Sequence, residues 1–313
     1  MSDLAVDVRG LNKSFGPRHV VQDVSIQVEK GRITGFLGPN GSGKTTTLRM
    51  LCGLLTPDSG RGMALGFDIR TDSEEIKRHV GYMTQRFSLY QDLSIQENLE
   101  FVARVYGLPD PTREARGAIE RLGLHGRENQ LAATLSGGWK QRLALGACIL
   151  PKPELLLLDE PTAGVDPKAR REFWGEIHKL AAEGMTVLVS THYMDEAERC
   201  HEIAYIAYGE LLVHGTVDEV IKDARLTTYV VSGDDSGELA RLAEELSQQS
   251  GIMVAPFGSS LHVSARDAKK LEAAIGKLKG RKAFTVARAD TSLEDVFIDL
   301  MGRAKDNFKE KSK

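Results

Sequence analysis

Gly38-Pro39-Asn40-Gly41-Ser42-Gly43-Lys44-Thr45 lies between an apolar run, Arg32-Ile33-Thr34-Gly35-Phe36-Leu37, and a stretch from Lys44 to Gly53 that reads as a helix. The octet fits G-x-x-x-x-G-K-[ST] without a gap, in the strand-then-helix setting that the pattern requires. Glycines let successive backbone N–H groups turn into one concavity, and the helix N-terminus adds partial positive charge there. Lys44 is placed to reach the β- and γ-phosphates of a nucleotide, and the Thr45 hydroxyl to take one position on Mg²⁺. A glycine-rich turn that binds nothing would not need the spacing, the Lys-Thr ending and the strand–helix frame together.

Outward from this loop the chain alternates strands and helices. Leu4, Val6 and Val8, then Val24, Ile26 and Val28, alternate with polar residues as half-buried strands do. Pro57-Asp58-Ser59-Gly60 reads as a turn and Val80 to Thr84 as a short strand ending at Gln85. Gln96 to about Leu124 has helical pattern, with Leu99, Val102, Val105 and Tyr106 on one face and Pro109 and Pro111 interrupting. Ser136-Gly137-Gly138 opens a helix that runs to about Leu150. Leu155-Leu156-Leu157-Leu158 is a strand buried on both faces, and Met185 to Ser190 is another. Between them Pro167 to about Glu183 forms a helix with Phe173, Trp174, Ile177 and Leu180 inward. Ile203 to Leu212 reads as a hairpin about Gly209-Glu210. The whole is a largely parallel sheet covered on both sides.

From about Leu226 the texture changes to short strands near residues 229–231, 252–254, 261–263 and 284–286, with helices near 239–246, 268–278 and 292–301. That order, βαββαβ plus a last helix, resembles a small ferredoxin-like unit. The expected organisation is a nucleotide-binding domain over residues 1–220, with a helical subdomain at about 86–150, a small α+β domain over 226–303, and a charged tail from Ala304 to Lys313.

The chain has 313 residues, 41% hydrophobic and 27% charged, with a net charge of −3. This balance argues against a polybasic membrane anchor and a nucleic-acid binder. Cys52, Cys148 and Cys200 lack metal-ligand spacing and read as core thiols in a reducing compartment. No apolar run approaches the ~18 residues of a membrane span, and Met1-Ser2-Asp3-Leu4 does not open a signal peptide. Work at a membrane would need a second, membrane-embedded chain.

Leu155 to Asp159 is a hydrophobic strand ending in a carboxylate, the arrangement that gives Mg²⁺ a second contact opposite Thr45. Glu160, next to it, stands where a general base would orient and polarise the attacking water. With the loop, the Leu135-Ser136-Gly137-Gly138 run and this Asp-Glu pair, residues 4–216 resemble the nucleotide-binding subunit of ATP-binding cassette (ABC) transporters in motif order.

The resemblance implies a role for each matching residue. Phe15 would stack on adenine. Gly38 to Thr45 and Thr46 would hold the phosphates, and Gln85 would contact Mg²⁺ and sense a membrane subunit. Ser136, Gly137 and Gly138 match the signature motif, whose serine and helix N-terminus bind the γ-phosphate held by the opposite subunit. Ala163 to Asp166 match the loop that crosses the dimer interface, with Asp166 in the nucleotide-binding set. His192 matches the switch histidine at the γ-phosphate. Position 139 departs from the family: Trp139 stands where Gln is most frequent.

Local motifs at Arg86 to Tyr90, Glu97 to Leu99, Val105 to Leu108, Thr191 to Glu198 and Ser292 to Phe297 are similar to the drug- and polysaccharide-exporter type, whose membrane partners are ABC-2 permeases. The implied fold is a P-loop α/β cassette with a helical signature subdomain plus the ferredoxin-like domain. The implied protein is a cytoplasmic ATPase, peripheral on the inner face of the membrane, that dimerises around two Mg-ATP and drives an export permease. The alternative is a soluble cassette ATPase acting on ribosomes or DNA. Such proteins usually carry two cassettes or a long coiled-coil insert, and this sequence shows one cassette and no insert. Phe87, Leu89, Tyr90 and Leu93 gather large apolar groups just past Gln85, a pattern that suits docking of a helix from the membrane subunit.

Overall fold

A computed structural model of the chain describes residues 4–278, 281 and 283–303; the charged tail lies outside the described residues. The described residues divide into two compact units, one up to residue 214 and one from 215 onward.

The first unit opens with two long strands, β1 (Leu4–Phe15) and β2 (Arg18–Glu29), followed by β3 (Ile33–Leu37) and helix α1 (Lys44–Leu51). Then come β4 (Ser59–Ala64), β5 (Phe67–Asp68), α2 (Ser73–His79) and β6 (Val80–Met83). A helical segment holds α3 (Ile95–Val105), α4 (Pro111–Arg121) and α5 (Gly137–Ile149). The chain returns through β7 (Leu155–Asp159), α6 (Pro167–Ala182), β8 (Thr186–Thr191), α7 (Met194–Ala197), β9 (Glu202–Ala207) and β10 (Glu210–Gly215).

Among the described residues the central sheet has six strands in the order β10-β9-β3-β8-β7-β6, with β9, β3, β8, β7 and β6 parallel to one another. Every residue of β3, β7 and β8 is buried, as expected of apolar strands covered on both faces. Parallel order places the C-terminal ends of β3, β7 and β8 at one edge, and all the loops of interest leave from that edge. A second sheet, β2-β1-β4-β5, is antiparallel. Its inward side chains Val6, Val8, Val24 and Ile26 share one apolar core with Phe36, Leu48, Leu157 and Leu188 of the parallel layer.

Ser59-Gly60, read from sequence as part of a turn, belongs to strand β4 instead. On α3, Leu99 is buried, whereas Val105 at the helix end is 66% exposed and Tyr106 45%. The helix starts cleanly: the Ser94 hydroxyl accepts from Glu97 N–H, and the Glu97 carboxylate accepts from Ser94 N–H.

The second unit holds α8 (Val217–Ala224), β11 (Thr227–Ser232), α9 (Ser236–Ser247), β12 (Met253–Phe257), β13 (Ser260–Ala265), α10 (Ala268–Gly276), β14 (Thr285–Ala289) and α11 (Leu293–Arg303). Its sheet runs β12-β13-β11-β14 with all neighbours antiparallel, the strand order of a ferredoxin-like βαββαβ unit. Val231, Leu242, Leu246, Leu261, Val263 and Ile275 fill its core.

Candidate functional site

The phosphate loop connects the buried end of β3 to the first residue of α1. Gly43 sits at the helix entrance with φ 106°, and a Cβ there would lie 2.8 Å from the Val20 carbonyl oxygen, so the position requires glycine. Ser42, packed beneath the loop, is 2% exposed, and its carbonyl accepts from Gly209 N–H at 3.0 Å. The turn at Gly209 joins β9 to β10, so the hairpin braces the loop from below.

Lys44 folds back over the loop. Its Nζ donates to the carbonyls of Gly38 at 2.7 Å and Pro39 at 3.1 Å, and lies 3.3 Å from Glu160 Oε1. Burial pulls the Lys44 ammonium below its ordinary pKa, against the opposing influence of Glu160 and Asp159. Thr45 Oγ1 donates to Asp159 Oδ1 at 3.0 Å, and that oxygen also accepts from Ser190 Oγ at 2.8 Å.

Glu160, 7% exposed, is the point where the loops converge. Besides Lys44, its Oε2 accepts from Gln85 Nε2 at 3.1 Å and lies 3.3 Å from His192 Nδ1. Three segments far apart in sequence, after β6, β7 and β8, therefore meet the phosphate loop at one carboxylate. A cavity of about 310 Å³ opens beside them. Asn40, Gly41, Gly43, Lys44, Thr45 and Thr46 form its floor, Gln85 and Glu160 close one end, and Phe15 stands at the rim, 50% exposed. Phe15, half exposed beside the loop with Lys13 Nζ 5.9 Å from its ring centre, can offer its ring to a flat heterocycle.

Arg18 and Val20 also line this cavity, and sequence reasoning missed both. The signal was available: Gly16-Pro17 reverses the chain so that Arg18 pairs with Phe15 across the β1–β2 turn. Reading that turn as a hairpin would have brought the two residues to the aromatic.

The remaining anticipated residues are not in this cavity. Ser136 is exposed at the N-terminus of α5 and its side chain makes no cap bond. Gly137 follows it, and Gly138 packs so closely on α6 that a Cβ would lie 2.6 Å from Ala169 Cβ. Asp166 caps α6, accepting from Lys168 N–H and Ala169 N–H, each at 3.0 Å. These four residues form a separate surface around α5 and α6. Trp139, on the same surface, has two guanidinium groups over its ring, Arg127 4.5 Å and Arg142 5.2 Å from its centre. Arg142 also pairs with Glu172 on α6 at 2.7 Å, so the residue that departs from the family pattern helps to tie α5 to α6.

The family profile described as ABC transporter matches residues 21–163. The Nod factor export ATP-binding protein I of Ralstonia nicotianae is 36% identical over 305 residues, 95% of this chain and 94% of that protein. The probable multidrug ABC transporter ATP-binding protein YbhF of Escherichia coli K12 is 42% identical over 220 residues, but those cover 70% of this chain and only 38% of YbhF. Among solved structures, an ATP-binding subunit of an ABC transporter superposes with TM-score 0.63 and 28% identity over 70% of this chain and 92% of that one. The ATP-binding cassette MJ0796, solved as a dimer with ADP and Pi, superposes with TM-score 0.62 and 25% identity over 67% of this chain and 98% of that one.

Proposed function

The chain belongs to the ABC transporter family of ATP-binding proteins, and on that premise we propose that it is the ATP-hydrolysing subunit of an export system, acting as a pair of cassettes beneath a separate membrane permease. The convergence on Glu160 carries the reading. A carboxylate held by Lys44, Gln85 and His192 beside a phosphate loop is suited to take a proton from water as that water attacks a γ-phosphate. The contacts Lys44 makes with Gly38, Pro39 and Glu160 are those that incoming phosphate oxygens would replace.

Mg²⁺ fits the residues at hand. Thr45 and Asp159 are already 3.0 Å apart, with Gln85 at the same cavity, and a magnesium shared with phosphates needs only one or two carboxylates from the protein. Among the described residues no cluster of three or more His, Cys, Asp or Glu could hold a metal alone, in keeping with an ion bound jointly with nucleotide. When bound, it neutralises charge on the transferring phosphoryl group.

Ser136, Gly137, Gly138 and Asp166 lie outside the cavity of their own chain, which supports a head-to-tail pair in which each cavity is completed by the other subunit's α5 N-terminus. The relatives named for multidrug and Nod factor export, with the sequence motifs above, favour an ABC-2 type permease as partner. The half-buried Phe87, Leu89 and Leu93, the exposed Tyr90 and Tyr106, and a cavity of about 150 Å³ flanked by Leu89, Val102 and Cys148 supply an apolar place for it to dock. No helix among the described residues is long and apolar enough to cross a membrane, so the chain would sit at the inner face through that partner.

Glu160→Gln keeps the shape of the side chain and removes its basicity. ATP hydrolysis by the purified protein should slow by about 10²-fold or more while nucleotide binding persists. Turnover close to wild type would overturn the assignment.

A further inference from the structure

Behind the reacting groups sits a carboxylate that lies within the Thr191 to Glu198 stretch but has been given no role so far. Glu196, on the one-turn helix α7, has no exposed surface. Its Oε1 accepts a hydrogen bond from the Thr162 hydroxyl and lies 3.5 Å from Arg170 Nε, and its Oε2 accepts from Thr191 Oγ1 at 2.6 Å. A buried carboxylate is tolerated only where it is paired and fully hydrogen-bonded. The identity of the partners is what matters here. Thr162 follows Glu160 by two positions, Thr191 immediately precedes His192, and Arg170 lies one turn into α6 beyond its Asp166 cap.

Arg170 makes a second connection. Its guanidinium stands 4.1 Å over the ring of Tyr193, and that ring lies 4.1 Å from the ring of His192. The Tyr193 N–H closes the circuit by donating to Thr191 Oγ1 at 3.0 Å. The buried Glu196 thus ties the loop after Glu160 to the loop bearing His192 through its two threonine hydrogen bonds, and the half-buried Arg170 beside it lies against Tyr193, whose ring meets the histidine at a tilt of 36°. The same Arg170 backbone N–H donates to the Asp166 carbonyl at 2.9 Å, so the pair also follows any movement of the loop from Ala163 to Asp166.

We propose that Glu196 and Arg170 form a positioning pair for hydrolysis, holding Glu160 and His192 in mutual register and relaying the state of the 163–166 loop to the histidine through Tyr193. The proposal rests on the reading of Glu160 and His192 as hydrolytic groups and adds the residues that aim them. Neither member of the pair touches the nucleotide cavity, so their loss should be felt in turnover and not in ATP affinity.

The test compares Glu196→Gln, Tyr193→Leu and Tyr193→Phe in the full chain. It measures kcat and KM for ATP, the dissociation constant of a fluorescent ATP analogue, and the thermal midpoint. Glu196→Gln should lower kcat by about tenfold and leave KM and the dissociation constant within about twofold. Tyr193→Leu should lower kcat in the same way, and Tyr193→Phe, which keeps the ring, should restore it. A folded Glu196→Gln protein with wild-type kcat overturns the proposal, as does a kcat loss matched by an equal loss of affinity. Should Glu196→Gln not fold, the Tyr193 variants decide, and equal kcat for Leu and Phe at that position overturns it. Glu160→Gln measured alongside separates the two levels. If that variant is inactive while Glu196→Gln and Tyr193→Leu are unimpaired, only the positioning pair falls. If it turns over normally, the reading beneath it falls as well.

Discussion

Glu160 leaves β7 with φ at 46°, a left-handed conformation that costs a non-glycine residue about 1 kcal/mol. The strain is held by a fixed anchor: Glu160 N–H donates to both the Oγ and the carbonyl of Ser190, at 2.9 and 3.2 Å. The backbone of Glu160 is therefore pinned to β8, while its carboxylate meets Lys44 and Gln85. The three thiols illustrate the opposite situation, groups whose surroundings suppress chemistry. Burial pushes the Cys52 thiol from 9.0 up to about 11 and Cys148 up to about 12, and raises Cys200 as well. Above pH 9 the unfolded chain gives up a Cys52 proton that the folded chain keeps, so folding stability present below pH 9 is lost as pH rises toward 11. The slope from one such thiol is at most about 1.4 kcal/mol per pH unit. Urea denaturation at a series of pH values should find the decline between pH 9 and 11 shallower in Cys52→Ala than in wild type. Identical slopes would show that this thiol does not titrate as its burial requires.

Elements that carry their own signal were legible in the sequence, and those that depend on a neighbour were not. The apolar runs of β3 and β7 announce strands buried on both faces, and the capped, periodic α6 announces itself through Pro167 and its inward Phe173, Trp174 and Ile177. Strand β4 did not, because Gly60 and Gly62 interrupt the pattern that marks a strand. Their reason is contact with β1: at Gly62, φ is 152° and a Cβ would lie 2.3 Å from the Asp7 carbonyl oxygen. No alternation rule can reveal a glycine required by backbone approach from a strand about 50 residues earlier in the chain. Gly62→Val should accordingly destabilise the protein by about 2 kcal/mol or more, read as a lower denaturant midpoint with an unchanged m-value. Stability within about 0.5 kcal/mol of wild type would mean that β1 and β4 do not approach so closely.

At the scale of the whole molecule, the order of strands and helices after residue 226 was enough to anticipate the βαββαβ topology that β11 to β14 adopt. The cavity beside the loop was legible where a local pattern encodes it, in Asn40, Gly41, Gly43 to Thr46 and Glu160. Gln85, His192 and Ser136 could be placed only through resemblance to a family. Arg170 and Glu196 escaped because their roles arise from pairings across the fold, with no spacing that a single sequence displays, whereas Arg18 and Val20 were within reach of the Gly16-Pro17 turn. The surface bearing Ser136, Gly137, Gly138 and Asp166 stands apart from the cavity of the same chain, and that separation supports the central proposal that each catalytic site is completed by a second subunit. Mixing Lys44→Ala with Ser136→Arg tests it directly. In a mixed dimer one site carries both lesions and the other neither, so two variants that are inactive alone should regain ATPase activity together. Random pairing of equal amounts leaves about a quarter of all sites intact, which sets the ceiling for recovery. If mixing restores nothing while crosslinking shows that mixed dimers form, or if a strictly monomeric protein is fully active, each chain hydrolyses ATP alone and the shared site is wrong.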